Sequence, residues 1–594
     1  MKKAISLLIL ALFLFSCVSC VPGGHEEPET ATAALSGTGD GPAFFQLQEL
    51  PDIGSYVPHE KPAYFFDDGP RDVFEPRDDY GGVLPYCAGM TDFYEPAYFF
   101  NEETGETDWD NKIGIDRGFG SSHELFGVMT ADGRIITGGV YTFCRYFDAG
   151  GSDAFWLFER AQGNVSHSFV ISADGKTLAE ADQIRVEPCG DGYVLVCGEA
   201  CRSAYGYSDY RLHHVSSPDG ETLLGADALG AAVPEGLENA ELIYAGNDGY
   251  LLRVIVTQTD WDEETDEMIA GTDAYCYLDP AGNLKSRFEA DDSEWLSVLC
   301  GRYLVSDGYG VLDFSGAPVG IDGYDEYQED ALSGCFFALK YDDPEEKYDD
   351  QTAVEVDVYD AGGNRMAHYR TTNAEKDYFR NYLLTCNVGF RKDRGELFSL
   401  LTGQALDPGV GRIDAAYRIS SGTVYYDESA FSLQTLQWVA LQTESGEWYA
   451  CRLSDLKTVK IREPAVSSYG DAVQAFCQGD VLVVCSDAGE FLYDLADGNE
   501  KHLPQMPADG NADGEEPNMV SVSKEALFFY RYADGIYGSR TYMYTEEKGD
   551  WNVLVTEYPS TDDGDLIFLC TKNHAYTLRS DGTVLASLEI NAYV

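Results

Sequence analysis

The chain has 594 residues, 44% of them apolar and 13% aromatic; this is enough apolar side chain for a large core and excludes wholesale disorder. A formal net charge of −62 repels phosphate backbones and excludes nucleic acid as a partner. The 40 Tyr, 30 Phe and 61 Gly lean toward strands joined by turns, because aromatic side chains suit pleated surfaces and glycine supplies positive φ.

In chain order, Lys2 and Lys3 precede an apolar run from Ile5 to Phe15. The run has the length of a signal-peptide core and is short for a transmembrane helix. Leu14-Phe15-Ser16-Cys17 resembles the bacterial lipobox. The resemblance implies cleavage before Cys17, diacylglycerol on its thiol, and a protein held on the extracytoplasmic side of the cell membrane. Phe15 departs from the small residue usual in that motif, Cys20 is a poorer second candidate, and the alternative is an ordinary secretory signal. Two acyl chains with a processed N-terminus anchor firmly. The stretch that follows, to Ala43, is rich in Gly, Pro, Ser, Thr and Glu without apolar periodicity, the composition of a flexible tether. The division expected is therefore a signal peptide over 1–16, lipidated Cys17 with a linker over 17–43, and a folded region over 44–594.

From Phe126 onward one pattern recurs: a short apolar or alternating run, a turn holding Asp, Gly or both, and a second run. The copies are "FGVMTADGRIITGG" (from Phe126), "FVISADGKTLAEA" (Phe169), "HHVSSPDGETLLG" (His213), "CYLDPAGNLKSRF" (Cys276) and "YGVLDFSGAPVG" (Tyr309). They continue with "VDVYDAGGNRMAHY" (Val356), "LFSLLTGQALDPG" (Leu397), "YACRLSDLKTVKI" (Tyr449), "FLYDLADGNEKHL" (Phe491), "MYTEEKGDWNVLV" (Met543) and "AYTLRSDGTVLASLEI" (Ala575). Asp-Gly or Ala-Gly between two such runs is a strong hairpin signal. Between the hairpins lie more apolar runs, such as "GYVLVCG" at Gly192, "GYLLRVIV" at Gly249 and "DVLVVCSD" at Asp480. These fit strands buried on both faces. A hairpin plus about two more strands in a period of ~40–50 residues is the blade of a β-propeller. The expected fold is all-β, a propeller of four-stranded blades. Eleven hairpins exceed the ~8 blades usual in one ring, so either some hairpins lie within blades or there are two rings. The acidic stretch 257–272 is then a long loop on one blade or an internal boundary. "YGVLDFSGAPVG" reads as the outer strand of one blade, a turn, and the inner strand of the next.

Tyr309 to Gln328, "YGVLDFSGAPVGIDGYDEYQ", resembles the WG repeat: aromatic-Gly, two apolar residues, Asp, a spacer, Gly, an apolar strand and Tyr-Asp. Phe126 to Tyr141 resembles a second copy, with Thr130 in place of the Asp, and Asp79 to Gly89 matches in part. Ser172 to Ala179 and Ser217 to Leu224 are instead similar to TolB-like propeller repeats. WG-repeat lipoproteins have this order of signal, tether and repeats. Neither resemblance implies a catalytic residue; both imply repeated β structure used for contacts.

Candidate sites are sparse. Asp509, Asn511 and Asp513 alternate ahead of Gly514, as oxygen ligands of a calcium loop do, but position twelve is Val520 rather than Glu. Ca2+ is thus the one cofactor suggested, and a solvated acidic loop is the alternative. Of 15 Cys, Cys189, Cys197 and Cys201 lie near one another without a His, a weak zinc pattern. Cysteines at strand ends, such as Cys197, Cys300, Cys386, Cys485 and Cys570, read as small buried hydrophobes. His213 and His214, as strand neighbours, are expected on opposite faces. No nucleophile elbow, H-E-x-x-H, P-loop or G-x-G-x-x-G occurs. The functional expectation is a membrane-anchored extracytoplasmic binding or scaffold module that contacts an envelope protein or glycan through propeller loops. The alternative is a propeller-type carbohydrate-active enzyme using channel carboxylates.

Overall fold

The computed structural model describes the dipeptide Ala43–Phe44 and most residues between 82 and 589; outside the description lie, among shorter gaps, 45–81, 201–209, 421–433, 508–516 and 532–538. The protein is an all-β propeller of ten antiparallel blades in a ring. The blades, numbered here 1 to 10, span 143–181, 183–224, 240–291, 297–318, 326–372, 388–406, 413–461, 472–502, 518–556 and 560–589. Most are four-stranded meanders in sequence order. In blade 4 the fourth strand is reduced to the bridge Leu312 to Pro318, and blade 6 has three strands. Blades 7 and 8 are joined by a short parallel pairing of Ile413–Ser420 with Ala472–Gln478.

Alternation of side chains explains why the blades stack. In the strand Gly192–Ala200, Val194 and Val196 pack toward blade 3, while Leu195 and Cys197 pack toward blade 1. In Cys335–Tyr341, Phe336 and Ala338 join blade 4, and Phe337 and Leu339 join blade 6. Successive residues of a strand point to opposite faces, so an unbroken apolar run makes both faces of a sheet greasy. A neighbour is then needed on each side. Each fully buried Val, Leu or Phe contributes about 1.5–3 kcal/mol relative to exposure. One such cluster bridges every successive pair of blades.

The circuit is closed by a long hairpin of Val83–Tyr94 paired with Gly120–Thr130. Tyr86 and Val128 of this seam hairpin share a cluster with Phe568 and Leu588 of blade 10 and with Trp156 and Phe169 of blade 1. The Val83 N–H donates to the Ala173 carbonyl in blade 1 (2.8 Å), and the Cys87 N–H to Thr577 Oγ1 in blade 10 (2.8 Å). Ala43–Phe44 adds a further strand at the outer edge of blade 10, against Thr583 and Val584.

One expectation is corrected, and one open alternative is decided. The recurring hairpins lie within sheets, one per blade and one on the seam. "YGVLDFSGAPVG" therefore joins the last two strands of blade 4 and does not pass between blades, and the eleven hairpins require no second ring. The buried runs are the second strands of their blades, among them Gly249–Thr257, Val481–Ser486 and Leu566–Cys570. They sit between hydrogen-bonded neighbours, which is why they carry so little charge.

The hairpins on the seam and in blades 1 to 5 share one chemistry. The residue that opens the turn accepts a hydrogen bond from the N–H four residues on. Thr130 Oγ1 accepts from Arg134 (2.9 Å), Ser172 Oγ from Lys176 (3.0 Å) and Ser217 Oγ from Glu221 (3.1 Å). Asp279 Oδ1 accepts from Asn283 (2.8 Å), Asp313 Oδ1 from Ala317 (3.1 Å) and Asp360 Oδ1 from Asn364 (2.9 Å). A short oxygen-bearing side chain satisfies turn donors that the ladder leaves over. Thr130 thus does the work of Asp313, which accounts for its place in the repeat. Gly316 closes its turn at φ +80 against the Phe288 ring of blade 3, where a Cβ would sit 2.6 Å from the ring.

Candidate functional site: the face of long loops

In a meander the turns between strands one and two and between three and four fall at one end of the sheet. Those between two and three, and the crossovers between blades, fall at the other. The first end is trimmed short almost everywhere: Cys189 to Gly192, Gly246 to Gly249, Gln478 to Val481, and the oxygen-capped hairpins. The longer links gather at the second end. They run from Tyr94 to Gly120 on the seam hairpin, Ala200 to Tyr210, Thr257 to Thr272, Tyr341 to Ala353 and Arg531 to Ser539. The crossovers 224–240, 372–388 and 502–518 join them. Blade 7, with its long link from Ser420 to Trp438, is the exception.

The acidic stretch 257–272 belongs to this second face. It joins Gly249–Thr257 to Thr272–Leu278 within blade 3 and contains its own hairpin, Asp260–Asp262 against Glu267–Ile269. At its root Arg253 and Asp273 form an ion pair at 2.6 Å, with side chains 13% and 2% exposed.

The best-defined part of the face is the loop 342–352 with the helix Asn373–Lys376. Asp343 caps the 3-10 turn Pro344–Glu346 by accepting the Glu345 N–H (3.0 Å), and Asp349 accepts the Gln351 N–H (2.8 Å). The Thr352 hydroxyl donates to the Glu346 carbonyl (2.8 Å). The crossover then ties itself on: buried Asn373 donates to the carbonyls of Lys347 (2.7 Å) and Asp349 (3.0 Å), and the Ala374 N–H donates to Asp350 (2.9 Å). Thr372 and Glu375 form a capping box on that helix. Arg370 pairs with Asp342. The outcome is an acidic loop whose backbone is largely bonded and whose tip presents Tyr348, 86% exposed, with the Lys347 ammonium 5.2 Å from its ring centroid. Glu345, Glu346, Asp349 and Asp350 are exposed around it.

A second polar cluster lies between blades 4 and 5. Tyr324 donates to Asp357 Oδ2 (2.6 Å) and lies 3.0 Å from the Tyr359 hydroxyl. His368 Nδ1 and Arg365 both reach Asp357 Oδ1, at 3.0 and 3.3 Å. Burial first, and then the Asp357 carboxylate, push the Tyr324 hydroxyl far above the usual phenol range, so it serves as a donor. The neighbouring Asp325 accepts the Tyr341 N–H (2.8 Å). The Tyr-Asp of the WG-like segment therefore fastens the blade 4 to blade 5 crossover.

The other sequence candidates are separated or fall outside the description. Cys17, Asp509, Asn511 and Asp513 lie outside the described residues. Cys189 pairs opposite Gly192 and Cys197 opposite Ile184, five steps along one strand and so roughly 16 Å apart. Burial pushes the Cys197 thiol up to about 11 and those of Cys451 and Cys477 to about 12. Cys386 and Cys570 are buried, whereas Cys300 and Cys485 are only partly so. His213 and His214 overturn their expectation, because their Nδ1 atoms are 2.8 Å apart. The cause is a bulge: Cys197 pairs with His214 and Gly198 with Leu212, leaving His213 unpaired and turned toward its neighbour. Among the described residues no three His, Cys, Asp or Glu side chains gather as a metal site.

The exposed Tyr348 was hidden in the sequence inside "DDPEEKYDD", which reads only as charge. The signal was the Asp-Asp-Pro opening, which caps and starts a turn.

The topology thus defines the class, a β-propeller with one elaborated face. No protein-family model matches the chain and no curated protein matches it, so the WG-repeat and TolB-like resemblances rest on the hairpin residues alone. Among solved structures, it is similar to an uncharacterized protein of Listeria monocytogenes (9% identity, TM-score 0.21, covering 62% of this chain and 96% of that one). It is also similar to BamB of Moraxella catarrhalis (12%, 0.21, 59% and 88%). A third is PorZ, a surface component of the type-IX secretion system of Porphyromonas gingivalis (12%, 0.18, 77% and 58%).

Proposed function

We propose that the protein is a membrane-anchored extracytoplasmic binding or scaffold module that contacts an envelope protein or glycan through the long loops of one propeller face. The observation that carries the reading is the asymmetry of the ring. One face is trimmed to capped turns, while the other keeps long links and shows a rigid acidic platform tipped by Tyr348. An exposed aromatic on a prefixed backbone is the usual anchor of a contact surface, because little entropy is lost when it docks. The acidic surroundings favour a partner with basic or hydroxyl-rich surface over an anionic one. The lipobox-like Cys17 and the tether supply the anchor. Among the described residues no helix is long and apolar enough to cross a membrane.

The test is photo-crosslinking in cells from two positions of the full chain, Asp349 beside Tyr348 on the long-loop face and Ser315 on the trimmed face. A specific adduct from the first and none from the second is expected, and it should be lost in Tyr348→Ala. Equal labelling from both faces, or adducts from Ser315 alone, overturns the proposal.

A further inference from the structure

The seam brings together two cysteines that are 483 residues apart. Cys87, in the first strand of the seam hairpin, and Cys570, at the end of the second strand of blade 10, have their Sγ atoms 3.2 Å apart. Their exposures are 0% and 1%. Thiols are common in this core, but these two face each other across the joint where the seam hairpin, from early in the chain, meets blade 10. Every other pair of neighbours is linked directly by a crossover; the described residues of the seam hairpin meet blade 10 through packing, through hydrogen bonds such as Cys87 N–H to Thr577, and through this sulfur contact, while Ala43–Phe44, from earlier in the chain, adds a strand to that blade's edge. Ala575, Ala586 and Leu588 surround the same cluster, so water is excluded from the sulfur pair.

We propose that Cys87 and Cys570 are a cross-linking site that covalently closes the propeller. The reaction is thiol–disulfide exchange with a low-molecular-weight disulfide. The thiolate of one cysteine attacks that disulfide, breaks its S–S bond and expels one small thiolate, leaving a mixed disulfide on the protein. The second cysteine, as thiolate, attacks the protein sulfur of the mixed disulfide. The Cys87–Cys570 bond forms and the other small thiolate leaves. Two protein thiols are oxidised, one small disulfide is reduced to two thiols, and the two protons lost by the cysteines end on those thiols. Both sulfurs are buried in the closed ring, so exchange takes place before the seam has packed or during its transient opening. Once formed, the bond shuts a loop of almost the whole domain, the situation in which a cross-link restricts the unfolded chain most. An exported protein meets the oxidising surroundings that such a bond requires.

The experiment refolds the full chain in oxidised glutathione, blocks remaining thiols by alkylation, and maps peptides without reduction. A peptide pair joining Cys87 to Cys570 is expected, lighter by two hydrogens than the two thiol peptides together. The oxidised form should unfold several degrees above the same protein held in reductant, and Cys570→Ala should abolish that difference. Recovery of both cysteines as alkylated thiols overturns the proposal. So does a cross-link that leaves the unfolding midpoint unchanged. If Cys570→Ala fails to fold, the oxidised and reduced forms of the unaltered chain still decide the matter.

Discussion

The two ends of the ring are made from the same strands and differ in how the chain turns. On the trimmed face the carboxylates and hydroxyls are used up by their own turns: Asp279, for example, is held at about 2 by the Lys285 ammonium and then by the N–H groups and side chain of Asn283. On the other face the acids of 345–350 stand exposed around an aromatic tip. Acidity therefore has two meanings in one chain. At one end it is turn chemistry that fixes the fold; at the other it is surface left over after the fold is complete.

That contrast can be attacked at the root of a long loop, at a trimmed turn, and in the loop itself. Asp273→Ala leaves the mostly buried Arg253 without the Asp273 carboxylate and should cost about 3 kcal/mol, read as a lowered urea midpoint. A loss under a third of that would mean that the loop root is not a rivet. Gly316→Val places a branched side chain at positive φ and against Phe288; a loss of about 2 kcal/mol or more is expected in the same titration. Ser217→Ala removes a hydroxyl acceptor in its turn and should cost about 1 kcal/mol, with Ser217→Asp restoring most of it. Replacing 258–271 by Asn-Gly should shift stability by less than about 1 kcal/mol, because loop length enters only logarithmically. Strong destabilisation there would show that the long links carry the fold, and the distinction between the faces would fail.

The smallest effect concerns His214, between the long link 201–209 and the turn at Ser217. Burial, and then the His213 ring, lower its pKa below 6.5. A histidine depressed in the folded state contributes fully above its unfolded value, and the contribution declines as pH falls below that value toward the folded one. Thermal midpoints of the protein and of His214→Asn, compared between about pH 5 and 8, should converge on the acid side. Curves that stay parallel would reject the coupling.

Much of the fold was legible because most blades repeat one local statement, an oxygen-bearing residue and a glycine between two apolar runs, which needs no distant partner to be read. The strands buried on both faces were legible for the same reason. What was not legible depends on register or on distance. A single bulge beside Cys197 turned His213 toward His214, and nothing in "LHHVS" announces it. "DYGGVLPYCAG" reads as a fragment of a repeat, yet Val83–Tyr94 is one long strand, because its partner Gly120–Thr130 lies beyond an intervening hairpin. The platform at Tyr348 was missed because Asn373, which ties it down, sits in the next crossover.

The seam also dictates an order of events. The strand containing Cys87 is made early, and the sheet that covers it is made after the nine other blades. Until then the growing arc has an apolar flank at each end, and chain length slows the encounter that must join them more than it penalises the joined state. During folding, an unfinished arc from one molecule could accept the closing sheet of another, so rapid circularisation guards against exchange between chains.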